Sequence, residues 1–328
     1  MTRLLARYAE CIFWMGRYVE RAENLARILD VQETFSRDSR GAHDWGTVLD
    51  INADRARFGE RYGAPTAQAV LRYYVLDREN PNSLVSDIWG ARENARTLRP
   101  LITTEMWVQL NVFYNRVLRL GVNDLAEERL SRLCSQIKDG CDAHFGITAG
   151  TLYRDEAWTF YELGRSIECA DQTTRLLDAK LIAAAKRQDD DVVADASYWT
   201  ALLRSAAGYQ AFRRRHPRGV TQEKVTLFML CDPSFPRSVA HHLSSIEEHL
   251  HLLRRQYGLK AANRAIEHLD GMFDDVDPMK VSKIIASGTV HQLDDFIQRS
   301  LIELTAILGR SFFGWPVEDP SREPAQAA

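Results

Sequence analysis

Two stretches of this chain match each other without a gap. GRYVERAENLARILD (Gly16 to Asp30) aligns on GRSIECADQTTRLLD (Gly164 to Asp178), 148 residues further on, with seven of fifteen positions identical. The identities are Gly16/Gly164, Arg17/Arg165, Glu20/Glu168, Ala22/Ala170, Arg27/Arg175, Leu29/Leu177 and Asp30/Asp178, while Glu23/Asp171 and Asn24/Gln172 keep their chemistry. Solenoids recur every 20 to 50 residues and need about three repeats, so one recurrence at this distance points to two related helix groups in one body. Polar positions recur with the apolar ones. That predicts two long helices packed about an approximate two-fold axis, with Arg17 and Arg165 buried against carboxylates.

Helical periodicity runs through the rest of the chain. At 100° per residue, Leu4, Tyr8, Ile12, Met15, Val19, Ala22, Ala26 and Leu29 share one face of a helix over 4–35, and Glu10, Arg17, Glu20, Arg21 and Asn24 gather opposite. A looser stretch covers 36–64, and Pro65 opens a helix near 66–77. Pro81-Asn82-Ser83 starts another helix, which Pro100 ends. Further helices are expected near 103–120, 123–142 (N-capped by Asn123), 154–186, 195–215, 221–231, 236–256, 260–271, 278–286 and 289–310. No alternating run bounded by Asn-Gly or Asp-Gly turns suggests a strand. The expected fold is all-α, a multi-helix bundle with two related long helices and no sheet. It spans 1–314 in subregions of about 1–186 and 195–314, joined by the polar connector 187–194 around Asp189-Asp190-Asp191. From Trp315 onward a Pro-rich, mobile tail is expected.

Composition narrows the function. With 18 Gly and 10 Pro in 328 residues the backbone is punctuated less than average, which suits long helices. A formal net charge of −3 supplies no broad basic field for nucleic acid or anionic lipid. Five cysteines with no C-x-x-C pair fit neither a disulfide framework nor a Cys-rich zinc site, and read as reduced thiols in a cytoplasm. Arg7 and Glu10 interrupt the apolar N-terminus, so no signal peptide is expected, and no stretch approaches a membrane span. P-loop, Rossmann and nucleophile-elbow motifs are absent, and ATP-binding folds without a short signature need a sheet. A helical chain is therefore not expected to be an ATP-binding half itself.

RYAECIFWMGRYVERAENLARILD, SDIWGARENARTLRP, TLYRDEAWTFYELGRSIECADQTTRLLD and LCDPSFPRSVAHHL, in this order, resemble the bacterial alpha-E domain family, helical proteins named for a Glu-Arg motif. The likeness runs through most of residues 1 to about 314. Where the second motif usually reads Glu-Arg, Glu168 is followed by Cys169. The resemblance implies the company of circularly permuted ATP-grasp proteins, sometimes as a fusion, and often of a transglutaminase-like protease. That points to amide-bond or peptide-forming systems.

Three readings of the Glu/Arg face stay open. Glu20 reaches Arg17 at i−3 and Asn24 at i+4, which as a solvated ladder contributes only tenths of a kcal/mol per pair. Alternatively Arg17 and Arg165 cross-brace the two helices through Glu20 and Glu168, since arginine's planar fork suits a carboxylate. Or Arg17, Arg21, Arg92 and Arg165 hold a carboxylate or phosphate while Glu20 or Glu168 orients an amine. Arg92-Glu93-Asn94 and Arg154-Asp155-Glu156 lie in the family-like strings and are also ordinary helix-surface and helix-start sequences. His241, His242, Glu247, Glu248, His249 and His251 lack the His-Glu-x-x-His spacing, and the basic run Arg213 to Arg218 closes a helix, so neither a metal nor nucleic acid is expected. No cofactor is expected either. The resulting reading is a non-catalytic or co-catalytic helical partner of an ATP-grasp-type ligase, with a small amino acid or peptide as possible ligand. The alternative is an enzyme in its own right that transfers or joins aminoacyl or peptidyl groups at a Glu/Arg pocket.

Overall fold

A computed structural model describes residues 4–38, 44–185 and 192–316. Among them are fifteen α-helices and no strand, as the periodicity predicts. The first half holds α1 (Ala6–Asp38), α2 (Gly46–Ile51), α3 (Arg55–Tyr62), α4 (Ala67–Val75), α5 (Leu84–Thr97), α6 (Thr104–Leu118) and α7 (Glu127–Thr151). The second holds α8 (Glu156–Ala185), α9 (Val192–Ser205), α10 (Tyr209–Arg215), α11 (Gln222–Cys231), α12 (Val239–Arg255), α13 (Ala262–Phe273), α14 (Pro278–Ser287) and α15 (Val290–Leu308).

Packing repeats across the two halves. α1 lies on α5 and α7 as α8 lies on α12 and α15, with α6 bridging α5 and α7 as α13 bridges α12 and α15. The halves also exchange short helices, α2 packing on α8 and α9 on α1. Local details repeat too. The Ser83 hydroxyl donates to Asp77 O at 2.6 Å and accepts from Ser86 N, while Ser238 donates to Asp232 O at 2.6 Å and accepts from His241 N. Ala53 and Ala207, each at φ 54°, end α2 and α9 in the left-handed region. The 15-residue match is thus the best-preserved part of a duplication that covers the whole fold.

At the centre α1 crosses α8 on the repeated glycines. A Cβ on Gly16 would lie 2.6 Å from Tyr161 O, and one on Gly164 would lie 2.1 Å from Phe13 O. Both contacts are with backbone, so any side chain here would push the helices apart. Phe13, Phe160, Phe312 and Phe313 pack around this crossing, and one apolar core runs through both halves.

Several expectations change in the structure. The stretch 36–64 contains α2 and α3; the helix expected at 123–142 is α7, and Asn123 lies in a 3₁₀ turn (Val122–Leu125) rather than capping it. The single helix expected at 195–215 breaks into α9 and α10 where Ala207 takes its positive φ. Trp315 is docked, its indole N–H donating to Glu10 at 2.7 Å. Of the expected connector, 187–191 lie outside the described residues and 192–194 belong to α9; the tail from 317 also lies outside them. Packing recurs instead across residues 152–155, between α7 and α8. No helix among the described residues is long and apolar enough to cross a membrane.

Candidate functional site: a duplicated Glu/Arg network

One turn beyond the glycine crossing, α1 and α8 exchange carboxylates and guanidiniums. Glu168 is fully buried, and each of its oxygens accepts two bonds. Oε1 takes Arg21 Nε at 2.7 Å and Gln172 Nε2 at 3.2 Å, and Oε2 takes Arg17 Nε at 2.7 Å and Arg21 Nη2 at 3.0 Å. Two guanidiniums outweigh burial and hold this carboxyl well below the usual glutamate range. Glu20 mirrors it at 2% exposure, meeting Arg165 Nε at 3.3 Å, Arg237 Nη1 at 3.2 Å and the Asn24 amide at 3.1 Å. One helical turn further, Glu23 accepts from Arg27 and Arg237, and Asp171 accepts from Arg175 at 2.8 Å. Asn24/Gln172, Glu23/Asp171 and Arg27/Arg175 therefore repeat in contacts as they do in sequence.

The symmetry breaks at Cys169. Arg21 pairs with Glu168, but its counterpart position holds a thiol that cannot pair with Glu20. Arg237, from the loop before α12, fills the gap. Its guanidinium lies 3.8 Å from the Cys169 sulfur and reaches Glu20, Glu23 and Asn24. Each glutamate thus keeps two arginines, although only one half spells Glu-Arg.

Beside each arginine group sits a buried side chain with no hydrogen-bond partner, Asp87 on α5 and His242 at the matching place on α12. Asp87 Oδ1 is 3.9 Å from Arg21 Nη1, yet Glu168 already holds that guanidinium closely. Desolvation therefore wins and raises Asp87 well above the carboxylate range. Burial, with His241, Arg165 and Arg237 nearby, drives His242 well below the usual histidine value. In both cases burial favours the uncharged form, so neither competes strongly with the paired charges beside it.

Of the residues singled out in the sequence, Arg17, Glu20, Arg21, Asn24, Arg165 and Glu168 meet in this network. Arg17 is 9% exposed and stacks 4.8 Å from the Trp14 ring, whereas the Arg165 side chain is 37% exposed and lies over Phe145. Arg92 is elsewhere. It bonds Asn111 on α6 at 3.0 Å, pairs with Glu93 and lies between the Trp107 and Tyr114 rings, while Glu93 also takes Arg96 at 2.7 Å and Asn94 sits beside them, half-buried. Arg154 bonds Ala149 O and stacks on Trp158, and Asp155 accepts from Ala157 N at 2.9 Å to cap α8. These five residues do not join the Glu/Arg network.

Arg237, Glu23, Asp87 and Gln172 were not picked out as a group from the sequence. A signal for Arg237 exists: Thr66, Val70, Asp77, Pro81 and Ser83 recur as Thr221, Val225, Asp232, Pro236 and Ser238, 155 residues on, which aligns the loops before α5 and α12. The solvated ladder fails because Glu20, Glu23 and Glu168 are buried. In energetic terms the network is a brace, since removing one partner of a buried pair costs roughly 3–5 kcal/mol.

No solved structure matches the chain. Uncharacterized proteins of Mycobacterium bovis and of two Mycobacterium tuberculosis strains are 24% identical to it over 306 residues, which cover 87% of this chain and 34% of theirs. The chain thus spans about a third of the length of these curated relatives. The Glu20-Arg21 dipeptide at the helix crossing and the all-helical fold agree with the family whose pattern runs through residues 4–313: the chain belongs to the Alpha-E family, described as a predicted alpha-helical domain with a conserved ER motif.

Proposed function

We propose that this chain is a non-catalytic helical partner of an ATP-grasp-type ligase in a cytoplasmic amide-bond or peptide-forming system. The observation that carries the reading is the saturation of Glu168: four donors occupy its two oxygens, and its proton affinity is depressed, so it has neither a free lone pair nor the basicity of a general base. The residues that give the family its motif hold two helix groups at a fixed angle, as a docking scaffold requires. Support also comes from the relatives, in which the matching region makes up only about a third of a longer chain. A small amino acid or peptide is then bound at the joint surface, and the bond-forming chemistry belongs to the ligase.

The test combines the purified chain with a cognate ATP-grasp protein from the same genome. Expected results are a stable complex by size-exclusion chromatography, no ATP-dependent product from the chain alone, and product from the pair. Turnover by the chain alone, or failure of the two proteins to associate, overturns the proposal.

A further inference from the structure

A second site is built where the halves exchange helices. Along one stripe of α1, Arg27, Asp30, Val31 and Thr34 form the floor of a cavity of about 240 Å³, walled by Lys138 of α7 and Arg204 of α9. Three cations and one carboxylate line it. Asp30 is already engaged, one oxygen by Lys138 at 2.7 Å and the other by Ser131 at 2.8 Å, and Arg27 leans on the buried Glu23. Arg204 has no carboxylate partner among the described residues and rests against the Tyr209 ring at 5.3 Å. An exposed arginine steered by an aromatic ring keeps its fork of donors open, the geometry suited to an oxyanion.

The duplication supplies an internal control. The 148-residue repeat puts Arg175, Asp178, Ala179 and Ile182 at the matching positions of the second half, the Ala53/Ala207 turns align Asp50 with Arg204, and His291 stands against Asp178 where Lys138 stands against Asp30. There His291 pairs with Asp178 at 2.5 Å, as Lys138 pairs with Asp30. Arg204, however, is matched by Asp50, which is bound to Arg55 at 2.6 Å. The helices are arranged alike, but one trough carries surplus positive charge and the other does not. Fold geometry alone does not explain that difference.

We infer that the trough between α7 and α9 binds a small oxyanion, and that a phosphate group, free or carried on a small ligand, is held by the open fork of Arg204 with Lys138 and Arg27 beside it. The inference stands apart from the ligase reading. The test is isothermal titration of the full chain with inorganic phosphate and with glycerol 3-phosphate at low ionic strength. Saturable binding is expected, weakened at least tenfold in Arg204→Gln and in Lys138→Gln and unchanged in Arg116→Gln, an exposed arginine on α6. Tighter binding of the ester identifies a phosphoryl group on a larger ligand, and equal binding identifies free phosphate. Absence of saturation, or the same affinity in Arg204→Gln as in the parent, overturns the inference; Arg204 is exposed, so that variant folds without rearranging the core.

Discussion

Replacing Glu168 by glutamine keeps the shape of the side chain and removes its charge. In the parent, Oε1 and Oε2 accept four bonds, three of them from guanidiniums. Whichever way the amide is seated, one oxygen becomes an N–H donor facing an arginine, so at least one charge-assisted bond is lost, and the ionic part of the others disappears. At about 1.5–3 kcal/mol for each hydrogen bond to a charged group, losing the equivalent of two gives roughly 3–6 kcal/mol. That overlaps the roughly 3–5 kcal/mol seen when a buried pair is broken. Urea unfolding at pH 7 should show a lowered midpoint with an unchanged slope. The pH dependence adds a second signature. Glu168 has a folded-state pKa below its unfolded value, so its stabilisation is complete above about pH 5 and declines as the pH falls through the ordinary glutamate value of about 4.3. Parent and variant curves should therefore converge in acid. A loss under about 1 kcal/mol at pH 7, or a gap that does not depend on pH, would refute the brace.

Two further outcomes follow, one from the same network and one from His144, a fully buried histidine on α7. Arg237→Ala removes one of the two arginines from Glu20, which should cost about 3–5 kcal/mol; adding Cys169→Arg, which restores a Glu-Arg dipeptide in the second half, should recover part of that loss in the same urea assay, and no recovery would show that Arg237 does not fill the missing place. Burial lowers His144 to about 3, so its contribution to stability is full above about pH 6.5 and falls by about 1.4 kcal/mol per unit as the pH drops toward 3; in a series of unfolding curves between pH 4 and 7, His144→Phe should show a shallower decline than the parent, and identical slopes would reject the assignment.

The long helices were legible in the sequence because apolar spacing and proline boundaries are local. The glycine-to-aspartate match made the α1/α8 pairing legible as well, along with six of the network's residues. Other features depended on tertiary packing. A helical wheel separates polar from apolar faces but not water from a second polar face, so periodicity alone leaves the Arg17, Glu20 and Asn24 side of α1 open between a solvated ladder, a buried brace and a pocket; packing buries it, Glu23 included. Arg237 lies 217 residues from Glu20 in sequence, and no local pattern announces that it substitutes for an arginine missing at Cys169. Likewise, the break at Ala207 has no glycine or proline at the turning residue itself; it repeats the Ala53 turn and is stabilised by the packing around α9 and α10. Local propensity determined which segments are helical. Which charges pair, and which polar groups are buried without a partner, was decided only when the two halves closed on each other, because desolvation and ion pairing depend on neighbours that the chain brings together from about 145 to 217 residues away.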